Sequence, residues 1–305
     1  FERREGNKMR LDPLNESSDV EDRRGGGSGS SGLGGLLGGG GRLGIGSMIL
    51  AAAAYFVFGI SPSTTLSGLD AVQSMSPSTS SASAVPVGTY AKDAQTVFAS
   101  KILQSTKEVW GAEFSAAGGQ YRAPVMVLYD GSTRTACGTG QASAGPFYCP
   151  GDQKIYLDLS FFQQMSRQMG AGGDFAQAYV IAHEVGHHVQ NQMGIEEKVN
   201  ARRARVSEAE GNALSVRVEL QADCFAGVWA VKANAKNKIL EAGDLEEGLN
   251  AAHKIGDDYL QKQAQGYAVP DSFTHGSSAQ RMRWFKQGLQ TGDWKQCDTF
   301  RAAAL

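Results

Sequence analysis

Apolar residues return at helical spacing through most of the second half of the chain, and this pattern predicts helices at about 174–194, 205–234, 242–265 and 277–290. Glycine and proline punctuate the last of these segments. An earlier amphipathic stretch, Asp93 to Glu113, predicts one more helix. Two short runs read instead as strands: Ala123 to Tyr129, closed by Asp130-Gly131, and Ile155 to Leu159. The fold class expected is α+β, mainly helical, with a small sheet and no internal repeat.

The pattern changes before Thr89. Residues 1–42 are charged, then Gly/Ser-rich, without periodicity, and read as a flexible segment. Leu43 to Ile60 carries no charge over eighteen residues, about the length that crosses a bilayer core. Seven Lys/Arg precede this run and the next follows only at Lys92. The positive-inside rule then puts residues 1–42 in the cytoplasm and everything after the run outside. Ala82-Ser83-Ala84 resembles a signal-peptide cleavage site but lies too far from the apolar run. Residues 61–87 are Ser/Thr/Pro-rich and read as a tether to a domain at 88–305. The expectation is a single transmembrane helix at 43–60 in the cytoplasmic membrane, with the domain on the extracytoplasmic, periplasmic side.

Composition removes some functions. A net charge of −2 and a pI near 6.3 leave no basic footprint for nucleic acid. A G-x-G-x-x-G at Gly39, Gly41 and Gly44 follows no strand, so it is no nucleotide fingerprint. Four cysteines without a Cys-x-x-Cys pair exclude a cysteine-rich zinc ribbon. Outside the membrane, Cys137 and Cys149 would close a short loop with a disulfide worth up to about 3 kcal/mol. Cys224 and Cys297 would be the second pair by elimination.

The chemistry concentrates in His183-Glu184-Val185-Gly186-His187, inside a predicted helix. Histidines four apart share one helical face, where two imidazoles can grip Zn²⁺ at about 2.0–2.1 Å. Glu184 lies about 100° round the helix, placed to reach a water beside the ion. His188 faces about 100° from His187 and reads as structural; His253, on an amphipathic helix, reads as surface or packing. A catalytic zinc needs a third protein ligand, and the acids beyond the motif are Glu208, Glu210, Glu219, Asp223, Asp257 and Asp258. Glu219 and Asp223 stand apart because they too are four residues apart, among apolar Val218, Leu220, Phe225 and Ala226. Glu219 can bind the ion while Asp223 accepts a ring N–H from a ligand histidine. Cys224 lies about 140° from Glu219 and points elsewhere. Two neutral imidazoles and one carboxylate leave one zinc ion net positive, enough to bring water towards a pKa of about 7. Glu184 would take its proton and deliver it to a leaving amine.

Taken in order, several motifs resemble the bacterial neutral zinc metallopeptidase family of the YpfJ type. They are Cys137-Gly138, Gly145 to Pro150, Ile155 to Asp158, the H-E-x-x-H helix, Glu219 to Cys224, Gly256-Asp257-Asp258 and Phe273 to Ser278. The likeness spans about residues 88–300 and includes the N-terminal anchor. The helix pair is also similar to that of the gluzincin peptidases. This resemblance implies zinc on His183, His187 and Glu219, Glu184 as base, and Asp223 behind a ligand. It further implies that His275 with Arg281 stabilises the intermediate or braces the site, and that a strand beside the cleft pairs with the extended substrate, a task assigned to Tyr156–Leu159. The substrate class implied is a peptide or protein. Two rival readings share the residues: an envelope scaffold or chaperone stabilised by zinc, and an amide hydrolase of cell-wall peptides. The intact Glu184 argues against the first, since a purely structural ion needs no base.

Overall fold

The computed structural model describes residues 8–25 and 86–305 of the 305-residue chain. The first helix, α1 (Ala94–Ala116), starts where Asp93 accepts the Thr96 backbone N–H, as an N-cap should. A four-stranded sheet follows in space, in the order β1 (Val20–Asp22), β2 (Val125–Leu128), β6 (Lys154–Leu157), β5 (Phe147–Cys149). The first three strands are parallel, with Val20 beside Met126 and Val127 beside Tyr156; β5 closes the edge antiparallel, with Tyr148 beside Ile155. A separate hairpin, β3 (Ser132–Thr135) and β4 (Gly138–Gln141), lies between β2 and β5 in sequence.

Seven more helices come after β6 among the described residues: α2 (Ser160–Met169), α3 (Asp174–Gln192), α4 (Ile195–Arg203), α5 (Glu208–Asn237), α6 (Asp244–Lys254), α7 (Asp257–Gln265) and α8 (Ser278–Thr291). Helix α3 packs against β5 on one side and α5 on the other, and α8 lies along α5. The core joins them through fully buried Phe175, Tyr179, Phe225, Trp229 and Phe285. One expected helix, 242–265, is two: the chain breaks at Ile255-Gly256, where a Cβ on Gly256 would lie 2.3 Å from the Ser278 backbone nitrogen at the start of α8.

Two expectations need correction. Residues 9–25 do not behave as a flexible tail. Met9, Leu14 and Val20 are buried in the main core, and the charges that suggested flexibility are paired across the fold. Glu21 accepts from Lys154 Nζ and Arg23 Nε at 2.7 Å, and Asp19 accepts from Lys107 at 2.6 Å. The run at 43–60 lies outside the described residues, and no described helix is long and apolar enough to cross a membrane. Strands β1 and β2, which flank that run in sequence, pair in parallel. Second, β6 sits between β2 and β5, so Tyr156–Leu159 has no free edge for an extended substrate; β5 is the edge strand near α3.

Both disulfides are formed, Cys137–Cys149 and Cys224–Cys297. The first ties the β3–β4 hairpin to β5. The second ties α5 to the C-terminal segment.

Candidate metal centre

Helix α3 carries His183 and His187 one turn apart, and α5 carries Glu219 and Asp223 in the same way. The two helices meet at Gly186, where a Cβ would already lie 3.1 Å from the Ala222 Cα and carbonyl oxygen. Glycine is a poor helix former, but here it lets the backbones approach until both polar pairs face one point. His183 Nε2 lies 3.2 Å from His187 Nε2 and 3.2 Å from Glu219 Oε2, and His187 Nε2 lies 3.6 Å from Glu219 Oε1. Zinc bonds of about 2.0–2.1 Å in a tetrahedron require ligand atoms roughly 3.3 Å apart. The three residues fit that requirement, and they form a closed triangle of possible ligands.

The electrostatics ask for a cation as well. All three ligands are at most 3% exposed. Burial pushes the Glu219 carboxyl up, but His187 and His183, helped by His275, outweigh it and hold the group well below its ordinary range. Burial opposes a charged His187, yet the Glu219 carboxylate wins and raises that imidazole to about 10. Glu184 is 2% exposed, and its Oε2 has no hydrogen-bond partner. Its carboxyl is raised by burial first, with Glu219 adding and the two imidazoles opposing. Glu196, at the start of α4, is a further buried acid: desolvation, with Glu219 and Glu184 adding and His187 opposing, raises it to about 7.

A layer of partners fixes both histidines. His183 Nδ1 donates to Asp223 Oδ1 at 2.9 Å, which leaves its Nε2 lone pair facing the centre. Asp223 is in turn held by Arg281, whose Nε and Nη2 reach its two oxygens at 2.9 Å each, and by the Tyr179 hydroxyl. Arg281, on α8, is fully buried. Its polar contacts are Asp223, Tyr179, the Ile255 carbonyl and the His183 ring, so it braces the ligand rather than facing a substrate. His187 Nδ1 donates to Gln190 Oε1 at 2.9 Å.

His275 lies in the loop before α8 and is 2% exposed. Its Nδ1 donates to Asp257 Oδ1 at 2.9 Å, while its Nε2 has no partner. Asp257 Oδ2 also accepts the backbone N–H groups of Thr274, His275 and Gly276 at 2.8, 2.7 and 3.0 Å, so one carboxylate shapes the whole turn.

With this geometry in view, comparison with known proteins is decisive. A family model described as "Putative neutral zinc metallopeptidase" matches residues 9–300. The chain belongs to this zinc metallopeptidase family. The Escherichia coli relative named "Uncharacterized protein YpfJ" is 50% identical over 296 residues, covering 96% of this chain and 99% of its own. "Uncharacterized protein Rv2575" of Mycobacterium tuberculosis is 45% identical over 195 residues, 61% of this chain and 65% of that one. No solved structure matches.

Within this family member, the other sequence candidates divide cleanly. Glu210 caps its own helix through Ser207, and Asp258 accepts the Ser278 backbone and hydroxyl; neither reaches the centre. Cys224 points into its disulfide with Cys297. His188 accepts from the Tyr148 hydroxyl and donates to the Arg122 carbonyl, and His253 packs on Tyr259. Sequence reasoning weighed Asp257 only as a ligand and passed over Gln190 and Glu196. For Asp257 a signal existed: adjacent acids in Gly256-Asp257-Asp258 before a histidine loop. For the other two nothing local distinguishes them from surface polar residues.

Proposed function

We propose that the chain is a zinc-dependent peptidase that hydrolyses peptide bonds with Glu184 as general base. The observation that carries this reading is the convergence of His183, His187 and Glu219 on one point, beside a buried Glu184 oxygen with no other partner. His183, His187 and Glu219 would hold the zinc, which would supply Lewis acidity to polarise a carbonyl and bring the pKa of water towards about 7. Glu184 takes the proton of the attacking water. Its raised affinity for protons, caused mainly by burial, suits a group that must hold the proton and then release it to the leaving amine. His275, oriented by Asp257, lies close enough to act on Glu219 and has a buried, unpartnered Nε2, which as an imidazolium donor could serve the developing oxyanion. Asp223 and Arg281 form a neutral pair, so His183 is braced without adding net charge. The enclosed positions of the ligands leave a structural zinc as the second reading.

The extracytoplasmic side is the proposed compartment, supported by two disulfides, which persist where the surroundings oxidise. Residues 8–25 belong on that side with the rest, because β1 hydrogen-bonds to β2.

Incubating the chain with a peptide library beside its Glu184→Gln variant tests the mechanism. The variant is expected to keep its zinc and to lose activity by about 10²–10⁴-fold. Cleavage equal to wild type would remove Glu184 from the reaction, and silence from both proteins would favour the structural zinc.

A further inference from the structure

The two ligand histidines are held in different ways. His183 leans on the Asp223–Arg281 pair, whereas His187 has only a neutral carboxamide behind it. That carboxamide belongs to Gln190, and its orientation is set from outside the metal centre.

Backbone carbonyls can only accept hydrogen bonds, so the assignment begins with them. The Cys297 carbonyl faces Gln221 Nε2 at 3.0 Å, which turns Gln221 Oε1 the other way, towards Gln190 Nε2 at 3.0 Å. The Val218 carbonyl receives the same Gln190 nitrogen at 2.7 Å. Gln190 therefore presents Oε1 to His187, and His187 must carry its hydrogen on Nδ1. Its Nε2 lone pair then faces Glu219 and His183. All of these side chains are buried. The far end is pinned: Cys297 is bonded to Cys224 on α5, and its carbonyl also accepts the Thr299 N–H at 2.9 Å.

We infer that Gln190 and Gln221 form a relay of oriented amides through which the disulfide-anchored C-terminal segment fixes the tautomer and ring position of His187. Both are positioning residues. The relay rests on the zinc reading above, and it makes the last turn of the chain part of the metal centre. Neither a one-sided flip of Gln190 nor a one-sided flip of Gln221 is tolerated, since each would set an N–H donor against another donor.

The test uses the full chain loaded with zinc, with two readouts: zinc affinity by chelator competition, and solvent exchange of the His187 Nδ1–H proton followed by NMR. Gln190→Met is expected to weaken zinc by roughly 10- to 100-fold, the usual cost of losing a partner behind a metal ligand, and to speed exchange of that proton. Gln221→Met touches no ligand, yet it too should speed exchange and weaken zinc, by roughly threefold. Circular dichroism of both variants should match wild type. A Gln221→Met protein with wild-type zinc affinity and wild-type exchange would overturn the relay while leaving the zinc site standing. A wild-type chain that takes up no zinc would instead overturn the zinc reading, and the relay with it.

Discussion

At the residue scale the site is governed by which buried charges find partners. Burial pushes the Asp223 carboxyl up, but Arg281 and then His183 outweigh it and keep it ionised. An ion pair so deep is costly to assemble and costlier to break, because removing one partner strands the other. The resemblance pairs Arg281 with His275, either to stabilise the intermediate or to brace the site; the packing of α8 on α5 turns its guanidinium to Asp223, the bracing alternative. His188 shows the opposite solution, a buried ring kept neutral. Its Nε2–H donates to the Arg122 carbonyl at 2.6 Å, and its Nδ1 accepts from the Tyr148 hydroxyl, which itself accepts from Asn191. Desolvation lowers its pKa from 6.5 to about 4 despite that carbonyl. Between these values the unfolded chain binds a proton and the folded chain does not, so this contribution to stability is complete above pH 6.5 and lost as pH falls towards about 4. The loss should amount to about 3 kcal/mol. Urea unfolding at a series of pH values should show that His188→Gln flattens this slope; a slope equal to wild type would assign the acid sensitivity to other groups.

At the scale of elements, glycines decide how closely the helices approach. Besides the Gly186 contact, a Cβ on Gly288 of α8 would lie 2.0 Å from the Cys224 carbonyl oxygen, and one on Gly227 of α5 would lie 2.4 Å from the Phe285 oxygen. These are backbone atoms, so no side chain can move aside. Gly288→Ala gains up to about 1 kcal/mol of helix propensity, but overpacking costs typically 1–3 kcal/mol or more and should win. The expected result is a lower denaturation midpoint together with weaker zinc retention, because Arg281 shifts away from Asp223. Gly111→Ala on α1, where nothing lies within 4 Å, is the control and should stabilise. Destabilisation of both alike would mean that glycine backbone freedom, not helix approach, is being read. The helices themselves were legible in the sequence: the periodic segments at 174–194 and 277–290 match α3 and α8 closely. The histidine pair and the Glu219–Asp223 pair were legible for the same reason, since a four-residue interval fixes a helical face. Strands β1 and β5 were not, because three residues carry no alternation to read. The Ile255-Gly256 break was hidden too, since Gly256 packs on the Ser278 backbone, which no local window includes.

At the scale of the whole molecule, residues 8–25 change what the chain can do with its apolar run. Local composition reads them as a charged tail, yet Glu21 answers Lys154 and Asp19 answers Lys107, partners too distant in sequence for any window to include. With Val20 and Met9 in the core, this segment is part of the domain. The consequence is a constraint on orientation stronger than a charge count. The positive-inside rule weighs small biases in Lys/Arg, whereas β1 is joined to β2 residue by residue over Val20–Asp22. A chain that keeps β1 in the sheet would hold the two segments on one side of a membrane. Since no described cysteine is free, single thiols placed at exposed positions report cleanly. Asn15→Cys and Lys262→Cys, each in the full chain, should react alike with a membrane-impermeant maleimide on cells whose inner membrane is intact. The disulfides favour labelling of both without permeabilisation. Labelling at residue 262 with protection at residue 15 would restore the single crossing, and would require β1 to leave the sheet whenever the chain is in its membrane.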